Sequence, residues 1–144
     1  MMNQNTSRSA QILTYAGLIP FALLSFAVVL ELDSFDFDLA LRSYGVAIIS
    51  FLCGIHWGIY LLASDKCPRN LLLISNTITL VAYSSILFPF GNINYITQSF
   101  CLAILLELDY ELLKKDVLPV WYFNLRRNAS CIVILLLLMT ACLI

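Results

Sequence analysis

The chain's only histidine lies in Ser50-Phe51-Leu52-Cys53-Gly54-Ile55-His56-Trp57-Gly58, a stretch apolar enough to sit inside a bilayer. An ionisable side chain in such a place is a candidate functional group and needs a polar partner. Few residues can supply one. Asn76, Gln98, Glu107 and Asp109 fall in other apolar runs, and Arg126 stands close to the last of them. Two readings of His56 follow. It can hydrogen-bond Asn76 or a carbonyl and fix helix packing. It can instead form, with Trp57, Asn76 and Asp109, a site for a quinone, a lipid headgroup or another small ligand. Haem ligation would need a second histidine from a homodimer, and a proton relay would need more than one such pair.

These residues are positioned by membrane-type elements. Of 144 residues, 61% are hydrophobic and 12% are charged, against roughly a quarter charged in soluble domains. The mean hydropathy is +0.90. Five apolar runs are expected to be helical spans, at about 12–30, 43–63, 70–88, 93–109 and from 119 or 128 to 144. Pro20 should kink the first. Pro89-Phe90-Gly91-Asn92 should turn the chain after the third. Pro119 suits the start of the fifth, which would put Trp121 and Tyr122 at a headgroup level. Seven of the eight basic residues then share one side: Arg8, Lys66, Arg69, Lys114, Lys115, Arg126 and Arg127. The positive-inside rule puts that side and the N-terminus inside, and the C-terminus outside.

Depth then selects partners. From an entry near Ser43, His56 lies about 20 Å along its helix. Asn76 lies about 9 Å into the third span, and Glu107 and Asp109 lie about 21–24 Å into the fourth, all in the inner half. Gln98 and Asp109, eleven residues apart, share a face that Glu107 does not. Arg126 should emerge beside Asp109, so an Asp109–Arg126 ion pair can orient the last helix. Ser50, Gly54 and Gly58 form a small-residue stripe away from His56, expected to pack against a neighbouring helix. A span with both features should be central in the bundle. The acidic stretch Glu31 to Arg42 reads as a solvated outer loop.

Several functions are disfavoured. Net charge is −1 with no basic block, which argues against nucleic acid. The five cysteines lack metal spacing, so no metal is expected and no cofactor can be named. No phosphate loop, hydrolase elbow or zinc-hydrolase motif occurs. Asn5-Thr6-Ser7 and Asn128-Ala129-Ser130 fall on the inner side, away from glycosylation. The N-terminal residues make neither a clear presequence nor a cleavable signal.

The residues Tyr15-Ala16-Gly17-Leu18-Ile19-Pro20-Phe21, Tyr44-Gly45, Ser50 to Gly58, Asp109, Leu118-Pro119, Trp121-Tyr122 and Leu125-Arg126 resemble the pattern of a small membrane-protein family. That family is of unknown function and includes the animal mitochondrial transmembrane protein sixty-nine. The match runs from about Tyr15 to Arg126, with Cys53 where the family usually shows glycine. The resemblance implies an energy-transducing membrane: the bacterial inner membrane, or secondarily the mitochondrial one.

The expectation is therefore an all-α, five-span membrane bundle forming one domain over residues 1–144. Its first functional reading is a non-enzymatic accessory or assembly protein that meets lipids, a membrane partner or its own copies through helix contacts. The alternative is a ligand site built from His56, Trp57, Asn76, Asp109, Trp121 and Arg126.

Overall fold

The computed structural model describes residues 4–32, 34–88 and 91–144, and among these the regular structure is helical without strands. In chain order the helices are α1 (Gln4–Ala16), α2 (Leu18–Val29), α3 (Phe37–Ala63), α4 (Leu71–Leu87), α5 (Asn92–Lys114) and α6 (Val120–Leu143). A single 3-10 turn, Ser64–Lys66, follows α3. Thr6–Val29, Phe37–Lys66 and Val120–Leu143 are each long and apolar enough to cross a membrane. The apolar α4 is shorter, at 17 residues. Helix α5 has 23 residues but carries Glu107, Asp109, Glu111 and Lys114 in its second half. Large apolar side chains face outward all around the bundle, among them Leu13, Leu62, Leu80, Phe100 and Leu135. Water would penalise such a surface and lipid would not.

Pro20 accounts for the break between α1 and α2. It has no N–H to offer the Ala16 carbonyl, and its ring crowds that turn. Helical structure lapses at Gly17. The Gly17 carbonyl is satisfied from α3, where the Tyr44 hydroxyl donates to it at 3.0 Å. The Tyr44 and Phe21 rings meet edge to face with centroids 4.9 Å apart.

Helix α3 begins at Phe37 rather than near Ser43. The Asp36 carboxylate accepts from the Leu39 amide at 2.9 Å and caps the helix. The acidic stretch is therefore not wholly a solvated loop, because Asp38 and Arg42 lie on the first turns of α3. Helix α6 starts directly after Pro119, so the earlier of the two expected starts is the observed one. Within the Pro89-Phe90-Gly91-Asn92 turn, Pro89 and Phe90 fall outside the described residues. Gly91, at φ 61°, holds a left-handed backbone that suits glycine just before α5.

Helices α3 and α5 are both central, each packing on three other helices. Ten α5 residues are buried, from Asn94 to Leu112. Helix α5 packs against α6, α4 and α3, while α3 also meets α2 and α4. The Ser50/Gly54/Gly58 stripe does not pack within the chain. Gly54 and Gly58 are exposed, and a methyl group placed on either would meet nothing within 4 Å. The side of α3 that packs is the one carrying Val46, Ile49, Leu52, Cys53 and His56.

Candidate functional site

Three helices bring polar groups to one level. His56 lies seven residues before the end of α3, about 10 Å from it. Asp109 lies about 8 Å before the end of α5, and Arg126 about 9 Å after the start of α6. Helices α5 and α6 form a hairpin across residues 115–119, so Asp109 and Arg126 face each other by construction. The Asp109 face continues along α5 through Leu105, Leu102 and Gln98, all buried, and Glu107 points outward.

The resulting cluster is almost dry. His56 is 1% exposed and Asp109 is 2% exposed. The Arg126 guanidinium gives Nε and Nη2 to Asp109 Oδ2, at 3.2 and 3.1 Å. On its other side, Asp109 Oδ1 lies 3.0 Å from His56 Nε2. That contact has a hydrogen bond's length without its alignment. His56 Nδ1 lies 3.0 Å from the Leu52 carbonyl oxygen one turn back. A carboxylate set between a guanidinium and an imidazole holds the arginine in a fixed orientation.

Arg126 fronts a cleft of about 490 Å³, within the size range of small-molecule sites. Leu13, Thr14 and Gly17 line it from the first span, Ile48, Leu52 and Ile55 from α3, and Ala129, Ser130 and Val133 from α6. Leu102 of α5 contributes to its floor, and Arg126 is the one charged residue on its wall. The cleft exists because α1 packs on α2 and α6 without approaching α3, and because α3 and α6 do not approach each other. Asp109 and His56 stand behind Arg126 rather than on the wall. A second depression, about 340 Å³, lies at the opposite end beside Glu31, Asp36 and Asp38.

Of the six residues proposed from sequence, the structure joins His56, Asp109 and Arg126. Asn76 is exposed on α4, one residue (about 100°) past the buried Ser75, and does not meet His56. Trp57 is 39% exposed and points away from the cluster. Trp121 is half-buried, stands edge-on to Tyr122 and does not line the cleft, whereas Tyr122 does.

Sequence reading missed a second polar cluster toward the other end. Arg42 pairs with Asp38 one turn earlier and donates from Nη1 to the Ser85 carbonyl at 2.9 Å. Tyr95 donates to the other Asp38 oxygen. The Gln98 amide donates to the Arg42 carbonyl at 2.9 Å and to Ser85 Oγ at 2.8 Å. It stands where Gly45 leaves room: a methyl group on Gly45 would fall on Gln98 Oε1 and within 2.9 Å of Cδ. The i,i+4 spacing of Asp38 and Arg42 was a sequence signal for part of this cluster.

The family described as a protein of unknown function, DUF3429, matches residues 6–142. The chain belongs to this family. No curated protein and no solved structure matches it. Several of the residues that carried the sequence resemblance meet in this fold: Gly17 with Tyr44, and His56 with Asp109 and Arg126.

Proposed function

We propose that this chain is a five-span protein of the bacterial inner membrane, or less readily of the mitochondrial one, that binds a small amphipathic molecule in the cleft between α1, α3 and α6. The observation that carries the reading is Arg126. It is held by a buried carboxylate on the wall of a mainly apolar, partly open cavity. A mainly apolar pocket with a few convergent polar groups is the usual form of a ligand site. The five spans and the inside N-terminus rest on the segregation of seven basic residues to one end, with α4 and α5 completing the crossings. At about 10 Å from the basic end, the cluster then sits in the inner leaflet.

The test is to purify the protein from native membranes in mild non-ionic detergent and identify extracted molecules by mass spectrometry. An amphiphile should accompany the wild-type chain in stoichiometric amount. Ala129→Trp, which fills the cleft from α6, should lower its occupancy about tenfold while leaving helical content unchanged. Equal occupancy in the two proteins would refute the cleft as the site.

The open face of α3 favours a second reading, an accessory protein that acts through helix contacts. Ser50, Gly54 and Gly58 are flanked by the exposed Phe51, Trp57 and Leu61, and a partner helix could approach closely there. Cross-links from cysteines placed at positions 54 and 58 to another polypeptide, in native membranes, would support it.

A further inference from the structure

We infer that the occupant of the cleft is an amphiphile whose head turns a carbonyl-type oxygen, of an ester, a carboxyl group or a quinone, toward Arg126 Nη1 and Ser130 Oγ, with its chain running away from the basic end of the bundle. The inference rests on the cleft reading above and specifies its ligand.

Two donors that the fold leaves unused define the head. Arg126 gives Nε and Nη2 to Asp109 Oδ2. Its Nη1 makes no hydrogen bond among the described residues, and neither does Ser130 Oγ. A serine or threonine inside a helix can bond the carbonyl one turn back, as Ser75 and Thr140 do. Ser130 does not. Both residues are more than nine-tenths buried, with Arg126 at 8% and Ser130 at 4% exposed. Neither atom is sealed from open space, and the space that both residues border is the cleft. They stand one turn apart on one side of α6, about 6 Å along its axis. Tyr122, one turn before Arg126, lines the cleft in the same row.

An arginine offers N–H donors and no acceptor at any pH a protein meets. Its partner must therefore bring a lone pair, whatever the protonation of the groups behind it. A carbonyl-type oxygen has two lone pairs, enough for a guanidinium N–H and a hydroxyl together. An ammonium head has none, and no carboxylate among the described residues lines the cleft to receive it. A bare hydrocarbon would take water from both donors and give nothing back.

The direction of the chain follows from the walls. Arg126 lies near the start of α6, and Ile55 lies near the end of α3. Val133 and Ile48 are each seven residues further from that end, about 10 Å. With Phe21, beyond the helix break at Gly17, they make the far part of the cleft apolar. A head at Arg126 and Ser130 leaves the tail on these side chains.

The experiment measures saturable binding of radiolabelled methyl oleate, which carries an ester and no charge, to the full chain in non-ionic detergent. Competitors are 1-octadecene, oleylamine, oleate and a decyl-tailed benzoquinone. We expect methyl oleate to bind about tenfold or more tighter than octadecene, with oleylamine weakest. The strongest competitor among ester, acid and quinone names the source of the oxygen, and each of the three supports a carbonyl-type head. Ser130→Ala removes a hydroxyl that bonds nothing within the chain, so its unfolding temperature should match the wild type. It should weaken methyl oleate about fivefold and leave octadecene unchanged. Unchanged ester binding in Ser130→Ala would overturn the place given to the head. Equal binding of ester, alkene and amine would overturn the carbonyl inference and leave the cleft reading intact. Saturable binding of none of the probes would overturn both together.

Discussion

Asp109→Ala should destabilise the folded protein by about 3–5 kcal/mol, because it leaves a buried cation without its partner. The side chain accepts both contacts from Arg126 and lies against His56 Nε2. With the carboxylate gone, Arg126 keeps its charge while only 8% exposed, and no other ion pair holds it among the described residues. The measurement is thermal or denaturant unfolding in detergent, followed by helical signal and by retention of a monodisperse species. The double variant Asp109→Leu with Arg126→Met removes the charge pair and keeps its volume. It should recover most of the loss, since replacing a buried ion pair by apolar groups is often neutral or better. A small effect of Asp109→Ala alone would mean that water or lipid headgroups already reach the guanidinium.

Gly45→Ala should be the most damaging single-methyl change in the protein. The added carbon falls on Gln98 Oε1 and within 2.9 Å of Cδ. A flexible glutamine could usually swing aside. Here its amide is held by the Arg42 carbonyl and by Ser85 Oγ, in a buried setting. Either α3 and α5 separate or both bonds are given up. Overpacking of this kind costs about 1–3 kcal/mol, and each abandoned buried bond adds about 1 kcal/mol. Gln98→Ala in the same chain should restore part of the stability, because it removes the obstruction. If Gly45→Ala unfolds at the wild-type temperature, the close approach of α3 and α5 at this level is wrong.

The sequence reading reached some of this and not the rest, for physical reasons. Helical period put Gln98 and Asp109 on one face and Glu107 on another, and the buried row on α5 follows that period. Axial rise gave His56, Asn76 and Asp109 a common depth and Arg126 was expected to emerge beside Asp109, and Pro119 marked the start of α6. Other features escaped. The start of α3 was obscured because Asp36, Asp38 and Arg42 read as loop polarity. In the structure one is a cap and two pair with each other across one turn. Asn76 was excluded by a single residue of rotation, which depth cannot resolve. The cleft has no local signature at all. It arises from a contact that is missing between α1 and α3, and from a helix break at Gly17 whose direction depends on Tyr44. The glycine stripe was a true feature of α3, but spacing alone does not say whether a stripe faces a neighbour within the chain or lies open.

The most direct measurement is photolabelling of the detergent-purified chain with an oleate analogue bearing a diazirine in its tail, with labelled positions mapped by mass spectrometry. Labels should concentrate on cleft residues, above all Leu52, Ile55 and Val133, and unlabelled oleate should suppress them. Labels spread over the outward residues Leu80, Phe100 and Leu135, undiminished by competitor, would contradict a cleft built around Arg126.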